Sequence, residues 1–302
     1  MNMNLTEAYY EQKFETAFLR AKAGEFQTFF ERLMGLAYKA DFMPCRPWGK
    51  QGDRKNDGYL KSERRLFQVY APNEMSSSKA KAKICEDFEG AKQHWKEYFD
   101  RWVFVHNASD GLPPHVQDLL LGLEKVNINI AIDTWSLEEL RLIFRKLTAD
   151  DKATWFGLAP TEETKLRLGF DELRIVLENI ATLTAPLRTE VKDVPAGKIQ
   201  ANALSDATER LLRAGMTKSQ LVADFFSQWH DETFGERLAK SFKDKYQQLR
   251  NAHTPNQTFA ELQSWAGGSQ RGTPEHEMAV LTVMAYYFER CDIFEEPRGT
   301  PR

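Results

Sequence analysis

The sequence is poor in cysteine: three in 302 residues. Cys45, Cys85 and Cys291 lie far apart and form no CxxC pair, which argues against a disulfide framework or a zinc site and for a reducing cytoplasm. No apolar run approaches the ~20 residues that cross a bilayer, so no membrane association is expected. The opening Met1-Asn2-Met3-Asn4-Leu5-Thr6-Glu7 has no basic region leading into an apolar core. No signal peptide or other targeting segment is therefore expected, and the chain reads as cytosolic. Excess charge is lacking too. With 41 Lys and Arg against 44 Asp and Glu, the formal charge is −3, so any contact with nucleic acid must come from a local patch. There is no P-loop, no GxGxxG and no nucleophile elbow, which leaves ATPase, dehydrogenase and α/β-hydrolase readings without support. The histidines form no ligand cluster.

What is present divides near residue 150. Residues 5–22 form a weak amphipathic helix, an N-terminal arm interrupted by Gly24. From Glu25 the spacing of Phe26, Phe29, Phe30, Leu33, Met34 and Ala37 is that of a helix with one buried face. Residues 42–48 read as a proline-bounded edge strand. Gly58–Lys61 and Leu66–Ala71 read as a hairpin joined by polar Ser62–Arg65. Ser76–Ser78 cap a long helix to about Arg101, with Ile84, Phe88, Ala91, Trp95 and Phe99 on its buried face. Then come a strand at Trp102–His106, a helix opened by Pro113-Pro114, a strand at Ile128–Trp135, and a helix to Leu147 opened by the capping box Ser136–Glu139. Alternating strands and helices imply right-handed crossovers and a partly parallel sheet with helices on both faces. The expected organisation is an α/β domain over 1–150 and an all-α helical domain over 160–302, with linker and cap between. In the second part helices are expected at about 168–182, 198–214, 217–230, 234–250, 256–266 and 275–291.

The stretch Gly52–Leu60 followed by Leu66–Pro72 carries the chemistry. Asp57 stands beside the turn glycine Gly58 at the start of a short apolar segment, and a second strand with alternating polar side chains follows. Two neighbouring strands can in this way aim oxygen ligands at a divalent metal, a hard site suited to Mg²⁺ and a phosphodiester. The plainer reading of Asp57-Gly58 is turn chemistry. Lys79, Lys81 and Lys83 lie at a helix N-terminus, where cations are disfavoured. They are either phosphate contacts or a solvated helix start. His106-Asn107 either faces the site or is a satisfied strand end.

Gly24-Glu25-Phe26-Gln27 on a helix, Gly52-Asp53-x-x-x-Asp57-Gly58, and Phe67-Gln68-x-Tyr70 together resemble the core of Mrr-like restriction nucleases, which have the PD-(D/E)XK fold. The resemblance implies a restriction-endonuclease-like mixed sheet flanked by helices. It places Asp57 as the metal-binding aspartate, Gln68 at the second acidic-or-amide position, and Gln27 where the family often has a helical glutamate. Mg²⁺ or Mn²⁺ would be the cofactor. Where the family has a lysine, this chain has Tyr70, whose phenol donates a hydrogen bond but supplies no positive charge. Lys50, Lys55 or Lys61 would have to supply it from a neighbouring position, and Glu25, Glu31 or Asp53 could supplement the metal set. The expected catalytic residues are Asp57, Gln68 and Tyr70. The expected metal ligands are Asp57, Gln68 and Gln27. The expected nucleic-acid contacts are Lys50, Lys55, Lys79, Lys81 and Lys83.

The last helix, Glu277–Glu295, is apolar on nearly every face in its middle and must be buried in a bundle or by a partner. Cys291-Asp292-Ile293-Phe294-Glu295 and Asn202-x-Leu204-Ser205 resemble the C-terminal modules of ABC-three-component systems. Pro47-Trp48-Gly49-Lys50, Gln68-Val69-Tyr70-Ala71-Pro72 and Phe104-Val105-His106-Asn107 also look like members of that group. These are bacterial operons that encode an SMC- or ABC-type ATPase beside small partner proteins. The resemblance implies an anti-phage or conflict role, an α/β effector acting on DNA, and a helical part docked on the ATPase and other operon-encoded subunits. The competing expectation is a non-catalytic nucleic-acid-binding or adaptor subunit of such a complex. The oligomeric state, the trigger, the cut sequence and the choice of DNA over RNA stay open.

Overall fold

A computed structural model describes residues 3–45, 55–74, 76–108, 111–182, 197–229, 231, 233–268, 272–290 and 292–295. The chain divides into two compact units, one of Ala17–Asp151 and one of Met1–Thr16 with Lys152–Arg302. The first boundary falls within helix α1 (Leu5–Arg20).

The α/β unit is built on a five-stranded sheet in the order β1 (Phe42–Pro44), β2 (Gly58–Leu60), β3 (Arg65–Tyr70), β4 (Arg101–His106), β5 (Ala131–Trp135). The first three strands are antiparallel, and β3, β4 and β5 are parallel. The mixed sheet expected from the sequence is therefore present. Interior β4 is buried from Trp102 to His106, as a strand covered on both faces must be. Alternation along β3 sorts its side chains between the faces. On one face Phe67 packs against Phe30 of α2 (Ala23–Tyr38) and against Trp135, and α5 (Leu137–Arg145) lies beside α2. On the other face Leu66 joins Ile84, Phe88 and Ala91 of α3 (Ser77–Trp95), together with Val116 and Leu120 of α4 (Pro114–Val126).

Local capping moves several boundaries. α3 stops at Trp95 because Tyr98 N donates to the Trp95 carbonyl and Asp100 N donates to that of Arg64, drawing the chain back to β3. The serine run Ser76–Ser78 supplies the N-cap of α3 as expected, with Ser76 in that position, but the Ser76 hydroxyl pairs with that of Ser78 and not with a backbone N–H. β5 starts at Ala131 because Ile130 N closes a turn on the Asn127 carbonyl, which leaves Ile128 exposed. The capping box at Ser136 and Glu139 forms as expected.

The helical unit contains α7 (Glu162–Arg167), α8 (Phe170–Thr182), α9 (Lys198–Ala201), α10 (Asp206–Met216), α11 (Ser219–Gln228), α12 (Phe234–Arg250), α13 (Pro255–Gly267) and α14 (Pro274–Glu289). Helix α6 (Ala149–Phe156) spans the second boundary. Helices α6 and α7 occupy the stretch expected to be linker and cap. Thr148 Oγ1 accepts from Asp151 N, and Thr161 Oγ1 accepts from Thr164 N, so these polar residues start helices. The single helix expected over 198–214 is two, separated where Ser205 caps α10. Helix α14 is buried among helices of its own unit, with α7, α8, α10, α11 and α13 around it. Its crossing with α10 needs Gly215, where an added Cβ would lie 2.4 Å from the Leu281 carbonyl oxygen.

Candidate functional site

The β2–β3 ladder ends where Gly58 pairs with Phe67; Asp57 precedes that pair on one strand and Gln68 follows it on the other. Asp57 N donates to the Phe67 carbonyl (3.0 Å), and Asp57 Oδ2 accepts from Val69 N (2.7 Å). The carboxylate thus replaces a backbone carbonyl where the hairpin frays, and it is held rigidly against β3. Asn56 Oδ1 accepts from Gly58 N (2.8 Å), closing the turn that leads into β2. Asp57 and Gln68 are both buried. Among the described residues no donor reaches Gln68 Oε1, and a buried acceptor left open costs about 1–3 kcal/mol.

Gln68 shares its face with Tyr70 and lies level with Phe104 of β4, while Tyr70 is level with His106. Tyr70 packs on Phe104 (5.8 Å between centroids), and Phe104 packs on His106 (6.1 Å). Gln68, Tyr70 and His106 therefore line the carboxyl ends of parallel strands, the usual place for a ligand crevice in such sheets. His106 Nδ1 accepts from Ala108 N (3.3 Å), and Asn107 Nδ2 donates to the Ala21 carbonyl (3.4 Å). Burial lowers the imidazole pKa to about 4, against an opposing pull from the Glu139 carboxylate. His106 is thus a neutral ring that ends its strand.

A second cluster joins the loop before β2 to α3. Asp87 is fully buried, and its Oδ1 accepts from Lys83 Nζ (2.8 Å) and Lys55 Nζ (3.1 Å). Lys55 also pairs with exposed Glu86. Burial raises the Asp87 pKa, and the two ammonium groups pull it back; Lys55 is raised chiefly by its bond to Glu86. Among the described residues Asp87 Oδ2 has no donor. Within the described α/β unit, the buried side-chain acceptors without partners are Gln68 Oε1 and Asp87 Oδ2, on β3 and on the helix that covers the same face of the sheet.

Of the residues expected from the sequence, Asp57 and Gln68 are brought together, with Tyr70 next along the strand. Lys55 and Lys83 meet on Asp87. Gln27 lies on α2, which packs on the opposite face of the sheet, and its Nε2 donates to Glu31 (3.2 Å). Among the described residues no hydrogen bond joins it to Asp57 or Gln68. Lys79 and Lys81 are exposed at the start of α3. Lys61 sits in the β2–β3 turn, at the far end of β2 from Asp57. Lys50 and Asp53 lie outside the described residues, as does Pro47-Trp48-Gly49-Lys50. Asp87 was not singled out from the sequence. Its signal is an acidic residue on the apolar stripe of Ile84, Phe88 and Ala91. Among the described residues no group of three or more His, Cys, Asp or Glu is arranged to hold a metal, and no helix is long and apolar enough to cross a membrane.

In the helical unit the two C-terminal sequence motifs meet. Asn202 Nδ2 donates to the Glu295 carbonyl, and Asn202 Oδ1 accepts from Glu295 N, both at 2.8 Å. Lys198 is buried, and its Nζ donates to the carbonyls of Phe288 and Ile293, both at 2.7 Å. Glu295 Oε1 accepts from Tyr246 Oη (3.0 Å). Cys291 lies outside the described residues. A search of curated proteins and one of solved structures each found no match. Residues 171–295, which hold this clamp, match the family described as C-terminal domain 10 of the ABC-three component (ABC-3C) systems, and the match supports the C-terminal module read from the sequence.

Proposed function

We propose that the chain is an effector of an anti-phage conflict system, a Mg²⁺-dependent DNA endonuclease-like protein that works with an SMC- or ABC-type ATPase and other operon-encoded subunits in the cytoplasm. The C-terminal module supports the conflict-system assignment. The element order α2, three antiparallel strands, α3, and a strand parallel to the third supports the PD-(D/E)XK resemblance.

The observation that carries the reading is the pair Asp57 and Gln68. A carboxylate tied to the Val69 amide and, among the described residues, a buried amide oxygen without a donor flank the last ladder pair at the mouth of one hairpin. Two hard oxygens suit Mg²⁺, which keeps several waters and needs few protein ligands. When bound, the ion would supply an activated water and offset charge developing on the phosphodiester. Asp57 and Gln68 would hold it. The remaining groups act on the substrate: the Tyr70 phenol donates a hydrogen bond to a phosphate oxygen, Phe104 fixes the Tyr70 ring, and Lys55 contributes positive charge. Gln27, bonded to Glu31 on α2, takes no part.

One observation favours the second reading, a non-catalytic DNA-binding or adaptor subunit: no larger carboxylate group is present among the described residues, and Tyr70 replaces the lysine. Incubating plasmid with the purified protein and Mg²⁺ or Mn²⁺ separates the two. Nicking or cleavage that Asp57→Ala abolishes is expected. No cleavage by the wild type, even with the ATPase partner and a phage trigger present, would establish the adaptor.

A further inference from the structure

Lys83 and Asp87 are one helical turn apart on α3 and need nothing else to pair. Lys55 is the unexpected partner, because it comes from the loop before β2 and three separate features hold it. Its backbone φ is 62°, in the left-handed region that non-glycine residues seldom enter. Its aliphatic stem runs over Gly90 of α3, where an added Cβ would lie 2.5 Å from Lys55 Cγ. Its ammonium is paired with a carboxylate that is 0% exposed. Backbone strain that the surroundings enforce gathers at functional sites, and here it fixes a cation in the turn that delivers Asp57.

The two acidic partners of Lys55 differ in kind. The Glu86 side chain is 64% exposed, so its pairing is weak and a phosphate can displace it. The Asp87 carboxylate is 0% exposed, so an anion arriving from solvent meets Glu86 and not Asp87. An incoming phosphodiester would thus exchange with Glu86 while Asp87 keeps the lysine in place.

We propose that Asp87, with Gly90 as the seat for the lysine stem, is a positioning residue that holds the Lys55 ammonium beside the Asp57–Gln68 pair, where it meets a DNA phosphate in place of the cation Tyr70 cannot supply. This inference rests on the DNA-directed reading given above. It also accounts for why a helix face otherwise made of Ile84, Phe88 and Ala91 carries a carboxylate at all.

The test is fluorescence anisotropy of a labelled DNA duplex titrated with the full-length protein, with Ca²⁺ in place of Mg²⁺ to prevent cutting, over a range of salt concentrations. Lys55→Met is expected to weaken binding roughly tenfold and to lower the salt slope by about 1, as for loss of one phosphate contact. Asp87→Asn should give the same two changes, and the double variant should be no weaker than Lys55→Met alone. Gly90→Ala leaves every charge in place and improves helix propensity, yet it should reproduce the loss by pushing Lys55 off its seat. It also serves as the test should Asp87→Asn fail to fold. Affinity and salt slope unchanged in Lys55→Met and Gly90→Ala, with Asp57→Ala still impaired, would overturn the inference and leave the DNA reading standing. Additive losses from Lys55→Met and Asp87→Asn would also overturn it. A wild type that binds no DNA would overturn both.

Discussion

In the helical unit the buried Lys198 ammonium reaches two backbone carbonyls, Phe288 and Ile293, and Asn202 closes a pair of hydrogen bonds with the backbone of Glu295. The buried Glu277 accepts from Gln263 (3.1 Å) and faces Lys13. These groups are spent on the chain itself, tying a terminal segment to the bundle. In the α/β unit the buried Gln68 and Asp87 each leave an oxygen open, and both stand on the face of the sheet where Asp57 and Lys55 are fixed. Among the described residues the unpartnered acceptors of the helical unit are Gln12 Oε1 and Thr258 Oγ1, on separate helices. Polar burial that satisfies the backbone serves stability. Polar burial that leaves acceptors open costs stability and calls for a reason other than folding.

The contrast makes unequal demands on substitution. Lys198→Met should be the most damaging change. It keeps the bulk but orphans two buried carbonyls, at roughly 1–3 kcal/mol each. Urea unfolding of the full chain should show a loss of about 2–5 kcal/mol in the helical transition with DNA affinity unchanged. A loss below about 1 kcal/mol would mean that the clamp is ornamental.

The next largest effect is set by pH in the α/β unit. The buried His106 stays neutral down to about pH 4, whereas in the unfolded chain it gains a proton near 6.5. Between those values the unfolded state binds the extra proton, so stability falls as the pH drops from about 6.5 towards 4, by at most about 1.4 kcal/mol per pH unit. His106→Gln should flatten this part of the profile, as followed by thermal melts at stepped pH. An unchanged slope would show that the imidazole protonates in the folded state.

Most of the fold could be read from the sequence because its signals are local. The capping box at Ser136, the proline start of α4, the apolar face of α2 and the all-apolar middle of α14 each announce themselves within a few residues. What could not be read depends on partners distant in the chain. The end of α3 is set by the Arg64 carbonyl, the tie from Asn202 runs to the backbone of Glu295, and Asp87 meets Lys55 from the loop before β2. The candidate site was legible only where its residues are close in the chain. Asp57 and Gln68 follow from strand alternation and resemblance, and the hairpin brings them together. Asp87 sits in the sequence as one more acid beside Glu86 and Glu89, and only burial distinguishes it.

Gln68→Met tests the central claim most directly, because the two kinds of polar burial predict opposite signs for it. If Gln68 is kept for binding rather than for folding, replacing its open amide oxygen with an apolar group of similar length should leave the thermal midpoint unchanged or raise it, a gain of about 0–1 kcal/mol. DNA affinity in the presence of Ca²⁺ should fall at least about tenfold in the same sample, a difference of about 1.4 kcal/mol. A midpoint lowered by several degrees with affinity intact would show that Gln68 belongs to the core and that the Asp57–Gln68 pair is not a site.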